Sequence, residues 1–250
     1  MEKGNFFKNS QIVVLGVCIA VATIVSAIIF SQGLMKIMKF RTEVISVTGG
    51  AEKKIVSDYM VWGVDFSRRD AAMTAAYAKL KEDLKVITDY LVSKGIASEE
   101  IVASQIGTEV FYKKSMRTGK DTNDIEYYKL SQRIEVRSYD IQKVTDTSRE
   151  STELIDKGIE IISNPPQYFY TKLSDLKIEM LRAATKDAKK RAEEIASSSG
   201  NRIGVIRSAR MGVFQITPVN SYDVSDYGEN DTSSLEKKVN AVVKAEFAIL

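Results

Sequence analysis

Ser174-Asp175-Leu176-Lys177 has the S-x-x-K spacing, which on a helix sets a serine hydroxyl one turn from a lysine amine. The S-D-N and K-T-G partners of the enzymes that use this pair are absent, so Ser174 reads as a helix cap and Lys177 as a solvated charge. Glu99-Glu100 and Glu193-Glu194 are the paired carboxylates on offer for acid–base work or a metal. Neighbours on a helix diverge by about 100°, so neither pair converges on one ligand. There is no histidine, which removes Ser-His and Cys-His catalysis and imidazole-ligated metals. The one cysteine, Cys18, lies inside an apolar run, which excludes intrachain disulfides and thiolate metal sites. The residues therefore predict no catalytic, cofactor-binding or metal-binding set, and no enzyme.

Two basic clusters remain: Lys186, Lys189, Lys190 and Arg191, and Lys113, Lys114, Arg117 and Lys120. Asp187, Glu193 and Glu194 interrupt the first, and 36 Lys and Arg against 33 Asp and Glu leave a net charge of only +3. That balance argues against nucleic acid as a partner, while the second cluster has the composition for anionic lipid headgroups. Tyr168-Phe169-Tyr170 follows Pro165-Pro166 and reads as a short strand with both tyrosines on one face. Tyr168 and Tyr170 are the candidates for a subunit contact, against the alternative of ordinary core packing.

The elements that position these residues begin with an apolar segment. No charged residue occurs between Lys8 and Lys36, and Ile12 to Phe30 is apolar except for Thr23 and Ser26. A helix rising about 1.5 Å per residue covers the roughly 30 Å hydrocarbon core over that length. The one A-x-A triplet, Ala20-Val21-Ala22, lies in mid-run, and Val17 is too bulky for a lipoprotein signal ending at Cys18, so an uncleaved signal-anchor is expected. Lys36, Lys39 and Arg41 outweigh Lys3 and Lys8 and by the positive-inside rule favour a cytoplasmic C-terminal part. Long domains, however, translocate largely regardless of charge, and a short Lys-bearing N-terminus more commonly stays inside, so the expected orientation is extracytoplasmic, in part on a family resemblance. The organisation read from this is a tail over 1–11, a transmembrane anchor over 12–35, a linker over 36–42 and a folded domain over 43–250.

In the domain, a first strand leads to a turn at Gly49-Gly50, and Ile55–Phe66 forms a second with Met60, Trp62, Val64 and Phe66 on one face. Ser67 or Asp70 caps a helix that runs to Lys94, with Met73, Ala76, Leu80, Leu84, Ile87 and Leu91 as its stripe and Gly95 as its stop. Strands follow at Ile101–Lys114 and Tyr128–Arg137, flanking an exposed hairpin loop over 113–124. A shorter helix spans Ile141–Lys157. The second long helix runs from Ser174 to Ser199, with Leu176, Met180, Ala184, Ala188, Ala192 and Ile195 inward and Gly200 as its stop. Ile203–Phe214 is a strand, 215–235 a flexible polar loop, and Glu236–Leu250 a last strand burying Val239, Ala241, Val243, Ala245 and Phe247. This predicts an α+β fold: an N-terminal transmembrane helix, then a mainly antiparallel sheet with two long helices packed on it.

Val47-Thr48-Gly49-Gly50-Ala51, the Tyr128, Ser131, Gln132, Ile134, Val136 strand, Ala188-Lys189-Lys190-Arg191-Ala192-Glu193-Glu194-Ile195-Ala196 with Gly200 and Ile203-Gly204-Val205-Ile206, and the alternating Val239 to Phe247 occur in order. Together they resemble the SIMPL-domain family of periplasmic immunogenic and oxidative-stress-defence-like proteins. The proline-aspartate pair many members carry in the second strand is here Ser57-Asp58. The resemblance implies a domain in the cell envelope, self-associating into homo-oligomers, with no established catalytic residues. The expected protein is thus a single-pass inner-membrane protein whose C-terminal domain lies in the periplasm or outside. It would be a non-enzymatic structural or interaction protein with a place in stress defence. The alternative is a binding module for a small envelope ligand or partner protein.

Overall fold

A computed structural model describes residues 4–221 and 225–250, with the backbone alone described over 4–11 and 37–42. Among the described residues the order is α1 (Gly4–Thr42), β1 (Val44–Val56), β2 (Tyr59–Asp70), α2 (Met73–Ser93), β3 (Ile101–Ala103), β4 (Gly107–Lys114), β5 (Asp121–Ser138), α3 (Ile141–Glu150), α4 (Glu153–Asp156), β6 (Ile161–Ser163), β7 (Gln167–Phe169), α5 (Leu173–Ser198), β8 (Ile203–Met211), β9 (Gln215–Pro218), β10 (Glu229–Asn230) and β11 (Glu236–Ile249). The fold is α+β behind an apolar N-terminal helix. Residues 1–51, 181–212 and 242–250 form one compact unit, and 52–180 with 213–241 form a second.

The second unit is built on a six-stranded sheet in which β5 and β2 are central neighbours. Met60, Trp62, Val64 and Phe66 of β2 and Leu130, Ile134 and Val136 of β5 are buried on one face. There they meet Ala76, Leu80, Ile87 and Leu91 of α2, with Val144 of α3 and Leu154 of α4 closing the cluster. The period of two in the strands and the steps of three and four in α2 are what bring these faces together. Trp62 is wholly buried and its indole N–H donates to Ser163 Oγ at 3.1 Å. Asp83 of α2 is nearly as buried, and the Arg68 guanidinium of β2 grips its carboxylate with both a Nε and a Nη2 bond, the latter 2.7 Å.

Several boundaries differ from the sequence expectation. β2 continues through Ser67 to Asp70, and Asp70 accepts from the Ala72 N–H at 3.1 Å, so α2 starts at Met73. Gly95, at φ +85°, ends the turn after it, as the left-handed region requires. The strand expected over Ile101–Lys114 breaks into β3 and β4, because Ser104 turns its peptide groups onto Arg133 and Gln132 of β5. The helix expected over 141–157 breaks after Glu150, where the Ser151 hydroxyl bonds back to Ser148 O at 2.7 Å. Within 215–235, expected as a flexible loop, β9 and β10 form, and Gln215, Ile216 and Thr217 are buried; residues 222–224 lie outside the described residues. Gln215 Nε2 donates to Ser225 O at 2.6 Å and closes that excursion. β9 pairs antiparallel with the first part of β11, and β10 parallel with β9.

In the first unit, α1 is one continuous helix, so residues 36–42, expected as a linker, continue it. That segment holds no glycine or proline to stop a helix. From Ile12 to Lys36 its apolar side chains are exposed around the whole circumference, and the span is long and apolar enough to cross a membrane. β8 pairs antiparallel with the last part of β11. β1 runs straight through Gly49-Gly50, where a turn was expected. The glycines serve close approach instead. A Cβ on Gly49 would lie 2.3 Å from both Ala184 O and Ala188 N, so the strand rests on the backbone of α5. Next to it, the Gly50 N–H donates to Asp187 Oδ2 at 2.9 Å. The buried stripe of α5 is Leu176, Met180, Ala184, Ala188, Ala192 and Ala196; Ile195, expected inward, is half exposed.

Gly49→Ala forces two backbones apart and is expected to destabilise the protein by about 3 kcal/mol. At Gly63 an added Cβ has no neighbour closer than 3.6 Å, so Gly63→Ala is expected to cost less than about 1 kcal/mol. Chemical denaturation of the full chain in detergent, by circular dichroism, checks both. Equal losses at the two positions would show that the strand–helix contact has room to yield.

Candidate functional site

A notch of about 370 Å³ opens in the second unit, lined by Val61, Gly63, Arg133, Glu135, Asn164, Pro165, Pro166, Gln167, Thr232 and Ser233. Its origin is local. β6 and β7 pair with the same edge of β2, with Val64 opposite Ser163 and Val61 opposite Gln167. The intervening Asn164-Pro165-Pro166 leaves the ladder, because proline has no N–H to give it. Gly63 faces the gap, and its carbonyl accepts from the Asn164 N–H at 2.9 Å and from Asn164 Nδ2 at 3.1 Å.

Charge at the notch is held in pairs. Arg133 donates through Nε and Nη2 to Asp65 Oδ1 and Oδ2, both at 2.8 Å, and Asn164 Nδ2 donates to Asp65 Oδ2 at 2.7 Å. Beside them, Arg137 donates twice to Glu135 Oε2, at 3.1 and 2.7 Å. The Arg133 hydrogen bonds hold the Asp65 carboxyl below the usual carboxylate range; Asn164 adds to this and partial burial opposes it. An acid fixed in its ionised form by a bidentate guanidinium is a poor proton donor and a good orienting group. The arrangement suits non-covalent recognition of a small polar group, with the two prolines as an apolar wall.

A second polar feature lies in the same unit. Lys237 is 2% exposed, and its Nζ donates to Tyr168 O at 2.6 Å and to Asp231 O. Burial pushes this ammonium below the usual lysine value, with the nearby Asp231 opposing. Lys237 thereby ties β7, the residues after β10 and β11 together.

The residues singled out in the sequence are dispersed. Ser174 is exposed in the first turn of α5, and Lys177 Nζ lies 5.6 Å from the centroid of the Phe214 ring. Glu100 accepts from the Ala97 N–H at 3.1 Å, and Glu193 pairs with Lys189 at 3.7 Å. Asp187 takes Arg191 at 2.8 Å as well as the Gly50 N–H. Tyr168 packs half-buried against the core of the second unit, and Tyr170 is half-buried beyond the end of β7. Among the described residues no group of three or more His, Cys, Asp or Glu could hold a metal ion. Asp65, Arg133, Asn164 and Lys237 were not anticipated. Asn164-Pro165-Pro166 was legible as a break, but the pairing of Asp65 with Arg133 follows only from the β2–β5 register.

An α+β domain with two largely antiparallel sheets, β9–β10 being a parallel pair, following a helix of membrane-spanning length, defines the class. The chain belongs to the SIMPL family, described as a protein of unknown function (DUF541), which matches residues 45–247. No curated protein matches it.

Because the folded-state value of Asp65 is below the 3.8 of a free aspartate, its contribution is complete above that value. It is lost as pH falls through the lower folded value. Asp65→Asn is expected to cost about 1 kcal/mol at neutral pH, after allowance for solvent screening of a partly exposed pair. It should also flatten the acid limb of the stability profile below about pH 4. Trp62, the one tryptophan in the chain, reports both through its fluorescence. A parallel pair of acid profiles would show that the bidentate contact does not titrate.

Proposed function

We propose that this protein is a single-pass membrane protein whose SIMPL domain stands outside the cytoplasm, self-associates and acts by non-covalent contact, without catalysing a reaction. The observation that supports it best is the helix Ile12–Lys36, apolar and exposed on every side, directly preceding the domain. In water such a surface is costly, and in a bilayer it is matched to its surroundings. The flanking charges alone, Lys36, Lys39 and Arg41 against Lys3 and Lys8, point the other way, but a domain of this size translocates largely regardless of them, and the family resemblance favours the outside.

Self-association is supported by β8. It pairs with β11 on one side and has Val205 at 66%, Ile206 at 47% and Met211 at 57% exposure. An exposed apolar strand of this kind is a template for pairing with a second chain. Anchoring confines the domains to two dimensions, so contacts too weak to hold in solution gain avidity. The envelope stress-defence role implied by the family resemblance would then be that of a scaffold. The notch at Asn164-Pro165-Pro166 favours a second reading, a binding module for a small polar ligand, for which a thermal-shift screen is the direct test.

The full chain is expected to stay in the membrane fraction after alkaline carbonate and to lose its C-terminal domain to protease added to intact spheroplasts. In detergent, light scattering should give a mass of several chains. Val205→Lys with Ile206→Lys should shift that mass toward one chain with the thermal midpoint unchanged. Extraction by carbonate, a fully protected domain, or a monomer at every concentration would each overturn the corresponding part.

A further inference from the structure

β4 and β5 form an arm that outreaches the rest of their sheet. β2 pairs with β5 over Tyr128–Ser138, whereas β4 pairs with it from Gly107 to Lys114 opposite Ser131 back to Asp121. Residues 121–127 of β5 therefore have β4 as their one strand partner among the described residues. A tight turn closes the arm, with the Ser115 N–H donating to Lys120 O at 2.9 Å and Gly119 at φ +66°. At its apex Met116 is fully exposed, and Lys113, Lys114, Arg117 and Lys120 surround it, all exposed. No acidic residue falls between 113 and 120; Asp121 and Asp124 follow on β5. None of the four cations forms an ion pair with a described carboxylate.

We propose that this tip is a docking element for an anionic lipid surface. Charge complementarity argues for it: four unpaired cations at one end of an arm create a local positive field that a near-neutral chain otherwise lacks. The apex argues for a bilayer in particular. A flexible, unbranched methionine held clear of the protein gains nothing from water and can enter the headgroup–acyl boundary while the lysines meet phosphates. Single-stranded nucleic acid would call for several free stacking aromatics; here Phe111 and Tyr127 stack on each other at 4.7 Å, which leaves Tyr112 as the single exposed aromatic of the arm. The inference uses the anchored reading for one purpose, since a tethered domain needs only a weak second contact to stay on a membrane.

The test uses the full chain in nanodiscs of phosphatidylcholine, mixed with dense vesicles of phosphatidylcholine alone or containing phosphatidylglycerol, and read by sedimentation. Vesicles containing phosphatidylglycerol should carry the protein down, and raised salt should release it. Lys113→Glu with Lys114→Glu should raise the half-binding lipid concentration at least about 25-fold, at roughly fivefold for each charge removed. Met116→Asp should raise it roughly tenfold. Lys113→Gln with Lys114→Gln, which removes the charges without adding acids, should fall between wild type and the glutamate pair. Circular dichroism should confirm that all variants fold. Equal binding to both lipid compositions, full binding by the glutamate variant, or binding of a tRNA probe in place of vesicles would overturn the proposal. Failure of the chain to enter nanodiscs would count against the anchor alone, and the same vesicles would then be tested with the chain in detergent-free buffer.

Discussion

A strand backbone lying directly on a helix backbone is the constraint on which the first unit depends. At Gly49 the distance to Ala184 and Ala188 leaves no space for even one carbon. Two features of the sequence follow from that single contact. The helix must present small residues at steps of four, which Ala184, Ala188, Ala192 and Ala196 supply. The strand must lack a side chain where it crosses them. Dispersion between closely spaced backbones replaces the interdigitated side chains of an ordinary interface. The Asp187 bond to the Gly50 N–H then fixes the strand along the helix, because a polar contact is directional where packing of small groups is not.

The second unit solves the same problem by other means. Its large side chains interlock, and polar pairs set the register at the margins. Arg68 and Asp83 join the far end of β2 to α2, and removal of Arg68 would strand a nearly buried carboxylate. At the opposite end, Asp58 accepts from the Thr171 N–H at 2.7 Å and from Thr171 Oγ1 at 2.8 Å, which joins the β1–β2 turn to the chain entering α5. This contact gives Asp58 its role, while the preceding Ser57 is buried and donates its N–H to Leu235 O at 2.9 Å, a bond that proline could not make. Lys237 does similar work with a single ammonium and two carbonyls. Charged residues that look available in the sequence are thus committed to architecture.

The parts legible in the sequence were those governed by periodicity. Met60, Trp62, Val64 and Phe66 alternate, and α2 repeats its apolar residues every three or four positions, so most of both buried faces could be named beforehand; Met73, expected in the α2 stripe, is exposed, and Asp83 and Tyr90 are buried there. Gly95, Gly158 and Gly200 marked chain reversals, and each has positive φ. What failed were local signals with two physical meanings. Gly49-Gly50 satisfies a turn as well as a close approach, and only the position of α5 decides. Ile195 is the more apolar neighbour of Ala196, yet the stripe needs a small residue on the four-residue step. Gln215 and Thr217 are polar and therefore read as solvated, but they are buried with β9, where Gln215 bonds to Ser225. At the notch, the proline pair was visible as a break, whereas Asp65 and Arg133 are 68 residues apart and meet through strand register alone.

These observations bear on what kind of work the molecule is built for. A reacting group needs an unspent lone pair or proton and freedom to change its charge. Asp65, Glu135, Asp83 and Asp187 each have a guanidinium on the carboxylate, and Lys237 sits against carbonyls it cannot leave without stranding them. The groups left uncommitted are peripheral: the apolar strand β8, the cationic arm at Met116 and the exposed face of α1. Each of these presents exposed side chains, and each would gain free energy by meeting another surface of matching polarity. Committed ion pairs such as Arg68–Asp83 and Arg133–Asp65, beside exposed apolar and cationic margins, favour the contact function proposed for this member of the SIMPL family.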